Sequence, residues 1–312
     1  MPQTRTSRDR DRTCLLLVNP AARSGQAGAA RAADLLKRER LIVDEPSIDS
    51  PDAMRAAIAA SKHDIIVVGG GDGTIATVAQ SLLDAKRTVG LLPLGTANDL
   101  ARSLGIPANL DDAVAVIAHG VARPIDMGVV NGRLYFNAVT LGLGPQVRRT
   151  HEATDKQLLG VFNYPRAIIQ TMLDREYFQA EITCDGKRAS ARLLHIGVVN
   201  GRYHGGGLPA HEDATIDDGL LHLYAVRAAT PLRYLRLLPS LMLGRDDNPD
   251  ILRIAGASIR IETKKPMPAT ADGEEVESTP LDLSCRPGAL TMMVPADSAV
   301  LDVSGPDQIA AA

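Results

Sequence analysis

The chain has 312 residues, 45% of them hydrophobic and 23% charged, which is the composition of an ordinary globular protein large enough for two domains. Its net charge is −3 and it holds no tryptophan, three phenylalanines and six tyrosines, so it lacks the positive charge and the aromatic platforms of nucleic-acid-binding proteins. No apolar run in the sequence has the length of a membrane-spanning helix, and three scattered cysteines predict free thiols in a reducing compartment, the cytoplasm.

Strands alternate with helices in the predicted first domain, residues 13–130, which follows a polar leader, 1–12, predicted to be disordered. Short apolar runs predict four strands, at 15–18, 41–43, 64–68 and 89–92, of which 41–43 carries the weakest signal and 15–18 is typical of a buried parallel strand. Helical spacing predicts helices at 29–40, 75–83, 97–104 and 111–119. A further helix is predicted to begin at Pro51, after a cap at Asp49 or Ser50. This alternation predicts a parallel sheet covered by helices on both faces.

The pattern changes after about residue 130. Alternating apolar and polar residues predict strands at 177–183, 189–199, 220–226 and 257–262. Asp185-Gly186 predicts a tight hairpin turn between the first two of these strands, and two helices are predicted at 156–173 and 230–243. We therefore expect an antiparallel β domain over residues 131–287. Residues 288–312 are then a last strand that returns to the first domain, followed by a tail.

A glycine-rich turn, Gly69-Gly70-Gly71-Asp72-Gly73-Thr74, follows the third predicted strand and precedes a helix. Open α/β sheets bind ligands at the carboxyl ends of their strands, and glycine lets peptide N–H groups approach an anion. Asp72 fits beside a phosphate when Mg²⁺ bridges the two, or when Asp72 handles a hydroxyl proton. The alternative is a plain strand-to-helix turn. The turn matches neither GxGxxG nor GxxxxGK[ST], which removes the specific Rossmann and P-loop signatures.

A second loop, Pro93-Leu94-Gly95-Thr96-Ala97-Asn98-Asp99-Leu100-Ala101-Arg102, follows the fourth predicted strand. In a parallel sheet it emerges at the same edge as the glycine-rich turn. Thr96 offers a hydroxyl to a phosphate or a ribose, Asn98 and Asp99 can shape a pocket, and Arg102 can balance acidic charge. The alternative is an ordinary helix start capped by Thr96, with Arg102 in solvent.

Together the motifs at 70–74 and 93–102 resemble the diacylglycerol kinase catalytic family, which includes bacterial lipid kinases and the related sphingosine and ceramide kinases. The resemblance covers roughly residues 13–295. It continues through Asn19-Pro20, Asp126-Met127-Gly128, Phe136-Asn137, Gly142-Leu143-Gly144, Asn200-Gly201, Gly205-Gly206-Gly207, Asp217-Asp218-Gly219 and Asp272-Gly273-Glu274. The first-domain motifs are partly shared with NAD kinases, whereas the second loop and the later segments are more specific. The chain departs from the family at Ala76-Thr77, where Asn-Glu is usual.

The resemblance implies an N-terminal α/β nucleotide-binding domain and a C-terminal antiparallel β-sandwich-like domain, with the active site in the cleft. It implies that ATP and Mg²⁺ are the cofactors and that the γ-phosphoryl group passes to the hydroxyl of diacylglycerol or a related glycerolipid such as phosphatidylglycerol. The implied nucleotide-binding residues are Asn19, Ser47, Gly70, Gly71, Asp72, Gly73, Thr74, Ile75, Ala76, Gly95, Thr96, Asn98 and Asp99.

Two carboxylates compete for the role of proton acceptor. The resemblance assigns it to Asp272 and makes Asp72 a ligand of the Mg²⁺–nucleotide, while the reverse assignment stays open. Glu274 is a third acidic group that would assist with nucleotide or metal. From the residues alone, Asp272-Gly273 is better explained as a hairpin turn before a solvated acidic run.

A structural Mg²⁺ is implied in the second domain. Its ligands would be the backbone of Thr215, the carboxylate of Asp218 and the backbone of Leu220, and the alternative is an Asx turn without metal.

A lipid substrate implies peripheral contact with a membrane surface, at its inner face, and no nucleic-acid partner. Residues 231–238 mix arginine with leucine and tyrosine, which predicts an interfacial helix or a helix packed on the β domain. Two other functions stay open. One is an NAD-kinase-like enzyme for a soluble substrate, and the other is a non-catalytic nucleotide-binding regulator, which Ala76-Thr77 favours.

Overall fold

The structure is a computed structural model that describes residues 12–22, 25–142, 177–229 and 248–298, together with the single residues 233, 237, 240 and 243. The predicted leader up to residue 11, the predicted helix at 156–173, most of the one at 230–243 and the tail beyond 298 lie outside the described residues. The chain divides into two compact units. Unit 1 comprises Met1–Ala101, Gly105–Ile125 and Ala289–Asp297, and unit 2 comprises Arg102–Leu104, Asp126–Gly288 and Ser298–Ala312.

Unit 1 is built on a parallel sheet, as the sequence predicts. Its strands are β1 (Thr13–Val18), β2 (Ile42–Asp44), β3 (Ile65–Gly70) and β4 (Thr88–Pro93). They lie in the order β2-β1-β3-β4, and Met292 adds one further parallel bridge, to Val89 of β4. All six residues of β3 are buried, as expected for a central strand covered on both faces.

Four helices lie between these strands: α1 (Gly25–Arg38), α2 (Pro51–Ala60), α3 (Asp72–Thr77) and α4 (Ala79–Ala85). Two more, α5 (Asp99–Ser103) and α6 (Leu110–His119), follow β4. The α2 helix begins at Pro51, and Ser50 is its cap because the Ser50 hydroxyl accepts the Ala53 N–H at 3.2 Å. The single helix predicted at 75–83 is instead two helices that meet at Val78. The Thr77 hydroxyl donates to the Gly73 carbonyl at 2.7 Å, a back-bond that bends helices.

Unit 2 is an antiparallel β structure, which confirms the predicted class. Two strands cross the boundary between the units: β5 (Val121–Val130) and β17 (Leu281–Val294). The others are β6 (Arg133–Tyr135), β7 (Ala138–Leu141), β8 (Phe178–Cys184), β9 (Lys187–Val199), β10 (Tyr203–His204), β11 (Leu208–Pro209), β12 (Leu221–Arg227), β13 (Ile251–Gly256), β14 (Ser258–Thr263), β15 (Ala269–Ala271) and β16 (Glu274–Val276).

The strands of unit 2 pair in the order β16-β15-β7-β9-β8-β14-β17, with β12 between β9 and β13. The predicted hairpin joins β8 to β9, with Cys184 opposite Lys187. Its turn residues, Asp185 and Gly186, have φ values of 44° and 81°, which suit a two-residue turn. A core of buried aliphatic residues around Tyr135, Ile182 and Leu223 lies within this unit. No helix in the described ranges is long and apolar enough to span a membrane.

Two buried histidines lie against one tyrosine in unit 2. The Tyr224 hydroxyl is 3.1 Å from His195 Nε2, and the His204 ring stacks on the Tyr224 ring with centroids 5.2 Å apart. Burial lowers the pKa of His195 to about 4 and, with a smaller contribution from His195, that of His204 to about 3. Both rings are therefore neutral in the folded protein at physiological pH.

These histidines predict a loss of stability in acid. Below a pH of about 6.5 these two histidines become protonated in the unfolded chain, whereas in the folded chain they stay neutral. The free energy of unfolding therefore falls by about 1.4 kcal/mol per pH unit for each histidine. His204→Phe keeps the stacked ring and removes one titrating group. Urea unfolding between about pH 6 and pH 4.5 is expected to show a slope shallower by about 1.4 kcal/mol per pH unit in this variant. Equal slopes in variant and wild type would contradict this reading.

Candidate functional site

The glycine-rich turn lies at the end of β3 and is joined to the end of β1. Asn19 donates from its side-chain amide to the Thr74 hydroxyl at 2.9 Å, and the Asn19 N–H donates to the Gly69 carbonyl at 2.9 Å. A Cβ on Gly70 would lie 2.5 Å from Thr74 Cβ, so only glycine allows the turn to close on Thr74. The structure thus brings together three of the predicted nucleotide-binding residues at one edge of the sheet.

The second loop touches the first, backbone against backbone. A Cβ on Gly95 would lie 2.4 Å from Gly71 Cα, and the Leu94 N–H donates to the Gly70 carbonyl at 3.0 Å. Asn98 has a φ of 51° and holds this loop from within. Its Oδ1 accepts the Gly95 N–H at 2.9 Å, and its Nδ2 donates to the Pro93 carbonyl at 3.3 Å and to the Gly95 carbonyl at 3.1 Å.

Asp72 links the two loops through its carboxylate. Oδ2 accepts the Asp99 N–H at 3.1 Å and Oδ1 accepts the Leu100 N–H at 3.0 Å, so Asp72 satisfies the first turn of α5. Asp99 itself is buried. A small cavity lies at this junction, and its lining comes from both loops and the strand ends: Gly70, Gly71, Asp72, Ile75, Leu91, Pro93, Asn98, Leu100 and Ala101.

Gly73 differs from the other glycines of the turn because nothing lies within 4 Å of the position of its Cβ. The packing of the protein therefore does not require glycine at position 73. The helix that follows, α3, has Gly71 as its N-cap and no side-chain cap. An anion placed beside Gly73 fits this geometry, because it meets open space and backbone N–H groups.

The remaining predicted nucleotide-binding residues differ in accessibility. Ile75 is buried, so its side chain belongs to the core, and Ala76 is half-buried on α3. Thr96 is exposed in the second loop. Ser47 is also exposed, in the connection between β2 and α2.

Asp272 stands in the turn between β15 and β16, at a φ of 46°, followed by Gly273 at 82°. Its carboxylate accepts three backbone N–H groups. Oδ2 accepts that of Phe136 at 2.7 Å, and Oδ1 accepts those of Asn137 at 2.8 Å and Ala138 at 3.1 Å. The hairpin expected from the residues alone is therefore present, and it also fixes the orientation of the carboxylate.

Of the residues around Asp272, the sequence predicts only Glu274 as part of the site. Glu274 forms an ion pair with Arg133. Asn200 is buried, and its side-chain amide donates to the carbonyls of Asp126 and Phe136, at 3.0 Å in each case. The Asn200 N–H donates to the Asn137 carbonyl at 2.8 Å. Asn200 thus supports the segment that holds Asp272. The signal for Asn200 in the sequence is the Asn200-Gly201 pair, which belongs to the family resemblance but does not indicate this supporting role.

The predicted structural metal site is organised around Asp218. Its Oδ1 accepts the Leu220 N–H at 2.9 Å, and its Oδ2 accepts the Thr215 N–H at 3.2 Å. All three predicted ligands are therefore close together. The backbone groups that reach the carboxylate are N–H donors, and His222 Nε2 lies 2.8 Å from Asp218 Oδ2.

The chain thus has an α/β unit with two touching strand-end loops, followed by an antiparallel β unit with a fixed carboxylate. Comparison with known proteins shows the class of the protein. The diacylglycerol kinase catalytic domain matches residues 13–130, and the YegS C-terminal NAD kinase beta sandwich-like domain matches residues 137–294.

Relatives of known name extend over most of the chain. A probable lipid kinase YegS-like from Pseudomonas aeruginosa is 32% identical over 94% of this chain and 97% of its own. A probable lipid kinase YegS from Salmonella dublin is 36% identical over 76% of this chain and 80% of its own. A diacylglycerol kinase crystal structure from Bacillus anthracis superposes with a TM-score of 0.72 at 26% identity, covering 93% of this chain and 98% of that one. The chain belongs to the YegS-like lipid kinase family and is a phosphotransferase that acts on an alcohol.

Proposed function

We propose that this protein is an ATP- and Mg²⁺-dependent lipid kinase that transfers the γ-phosphoryl group to the hydroxyl of diacylglycerol or a related glycerolipid such as phosphatidylglycerol. The observation that carries the proposal is the pair of touching loops in unit 1, with open space at Gly73 and glycine backbone around it. The family of the chain supports the same chemistry, and the names of its relatives support a lipid as acceptor.

In the proposed complex the phosphate chain of ATP lies against the glycine-rich turn, with Thr74 and Thr96 as hydroxyl donors. Asp72 belongs to the same turn, and its carboxylate, which also accepts the Asp99 and Leu100 N–H groups, is the proposed ligand of a hard cation. Mg²⁺, when bound with the nucleotide, neutralises phosphate charge. Asn98 fixes the second loop by three hydrogen bonds, so the loops are held in place before the nucleotide arrives.

Asp272 is the proposed proton acceptor. The lipid hydroxyl gives its proton to the Asp272 carboxylate as its oxygen bonds to the γ-phosphorus, and the bond from that phosphorus to the bridging oxygen of ADP breaks. The three N–H groups from residues 136–138 keep the carboxylate in one orientation. Orientation of this kind accounts for much of the rate gain in phosphoryl transfer.

The nucleotide site is tested by Gly73→Ala. The added methyl group meets no protein atom within 4 Å, and alanine favours a helix over glycine by up to about 1 kcal/mol, so the melting temperature is expected to stay or rise. The same methyl group takes the space of a phosphate oxygen, which is expected to weaken ATP binding by about tenfold or more, measured by calorimetric titration. Unchanged ATP affinity in a stable variant would contradict a phosphate position at Gly73.

The acceptor is tested with purified protein, radiolabelled ATP·Mg²⁺ and a panel of lipids in mixed micelles: diacylglycerol, monoacylglycerol, phosphatidylglycerol and sphingoid bases. Label in at least one lipid is expected. No label in any of them, from protein that binds ATP, would overturn the proposed reaction. Because these acceptors reside in bilayers, we further propose peripheral contact with the inner face of the membrane by a cytoplasmic protein. Co-sedimentation with lipid vesicles measures that contact.

A further inference from the structure

The turn around Asp218, in unit 2, holds a histidine where the family resemblance implies a metal ion. Asp218 Oδ2 accepts the Thr215 N–H, and His222 Nε2 lies 2.8 Å from the same oxygen. A carboxylate oxygen has two lone pairs, so these two neighbours occupy both directions in which Oδ2 accepts. The Leu220 N–H takes one direction at Oδ1.

A divalent ion at Asp218 Oδ2 would place demands that the neighbours of this oxygen do not meet. Mg²⁺ requires near-octahedral oxygen ligands at about 2.0–2.1 Å and usually keeps several waters. His222 Nε2 lies 2.8 Å from Asp218 Oδ2, in the space that the ion and its waters would need. Mg²⁺ also prefers oxygen ligands to an imidazole nitrogen.

The turn has a metal-free explanation for its geometry. Asp126 is buried, and its carboxylate accepts the Gly219 N–H at 2.6 Å and the Gly288 N–H at 2.7 Å, which ties the turn to β5 and β17. His222 is itself buried, stacks on His211 with ring centroids 6.0 Å apart, and reaches back from β12 to Asp218. Both ends of the turn are therefore held by protein groups.

We infer that the imidazole of His222 takes the place of a divalent cation beside Asp218, so that a histidine–aspartate contact closes this turn. The contact needs only a donor at Nε2, facing an oxygen that already accepts one N–H. The magnesium requirement of the enzyme would then come from the nucleotide alone. This inference concerns the fold of unit 2 and stands independently of the proposed lipid kinase activity.

Thermal unfolding of the full chain without nucleotide tests the inference. The wild type is expected to melt within about 1 °C of the same temperature in EDTA and in millimolar MgCl₂, because no site couples the ion to folding. His222→Ala removes the ring and opens the position, so it is expected to melt lower in EDTA and to recover several degrees with Mg²⁺, roughly as expected for a ligand of the folded state. His222→Gln keeps a side-chain N–H donor and is expected to ignore Mg²⁺.

Two results would overturn the inference. One is a wild-type melting temperature that rises by several degrees with Mg²⁺ and loses the rise in Asp218→Asn, which would place the ion at this carboxylate. The other is a folded His222→Ala chain that does not respond to Mg²⁺, which would show that the ring does not occupy a metal position. The wild-type measurement decides the matter by itself if His222→Ala does not fold.

Discussion

Asp272→Asn is expected to lower kcat by about 10²–10⁴-fold, the usual contribution of a general base. The amide cannot take a proton from the lipid hydroxyl, whereas its oxygen can still accept the N–H groups of Asn137 and Ala138. Its NH₂ group would face the Phe136 N–H, so the variant is also expected to lose roughly 1–3 kcal/mol of stability. The experiment must separate these two effects.

The chain offers a matched control in the hairpin between β8 and β9. Asp185-Gly186 has nearly the same φ values as Asp272-Gly273, and the Asp185 carboxylate also accepts backbone N–H groups, from Ala257 at 3.2 Å and Ser258 at 2.9 Å. Asp185→Asn is expected to cost similar stability and to leave kcat unchanged. If both variants lose equal stability and both keep wild-type kcat, Asp272 is only a structural residue and the proton goes elsewhere.

Asp72→Ala is expected to reduce kcat/KM for ATP by about 10²-fold, the magnitude typical for loss of one group that stabilises charge in the reaction. It also removes the acceptor of the Asp99 and Leu100 N–H groups, which costs about 1–2 kcal/mol, as the loss of a helix cap does. Nucleotide titrations at several Mg²⁺ concentrations are the measurement. A requirement for more Mg²⁺ is expected in the variant.

Asn109→Ala is the control for the structural part of this effect. Asn109 caps α6, and its side chain accepts the Asp112 N–H at 2.8 Å, so its loss is expected to cost about 1 kcal/mol without touching either loop. Equal kcat/KM in Asp72→Ala and Asn109→Ala would show that Asp72 serves only as a cap. A normal KM for ATP with a lost kcat in Asp72→Ala would instead favour the reversed assignment, with Asp72 as base.

The sequence predicts unit 1 well because its signals are local. Each parallel strand contains a short apolar run, and Ser50-Pro51 marks the start of α2 at the residue where the helix begins. The glycine-rich turn and the second loop follow adjacent strands, so their meeting at one sheet edge follows from topology. The sequence does not predict the division of the helix at Val78. A periodic apolar pattern gives no sign of the hydrogen bond from the Thr77 hydroxyl to the Gly73 carbonyl.

The structure of unit 2 is harder to predict from the sequence because its key contacts join distant parts of the chain. The Ala-Thr-Ala of β15 and the Glu-Glu-Val of β16 carry no strand pattern, and they are strands because β15 pairs with β7. The Asp272 carboxylate meets Phe136, which lies 136 positions away in the sequence. Such a contact depends on the register of three strands, which local patterns do not fix.

The contact of His222 with Asp218 is also not predictable from the sequence, for a different reason. The two residues are only four apart, yet whether their side chains meet depends on the turn that precedes β12 and on which face of the strand His222 occupies. The resemblance to a known family pointed to Asp218 and said nothing about the residue opposite it. Only the geometry of this chain places an imidazole there.

The most direct test of the central claim is one competition reaction. The purified protein is given radiolabelled ATP·Mg²⁺ with diacylglycerol and phosphatidylglycerol in mixed micelles, and with NAD and a sugar phosphate in the same solution. The label is then divided between an organic and an aqueous extract. A lipid kinase transfers label to the organic phase, and Asp272→Asn is expected to slow that transfer by about 10²–10⁴-fold. Phosphorylated product found only in the aqueous phase, or no transfer by protein that binds ATP, would contradict the assignment.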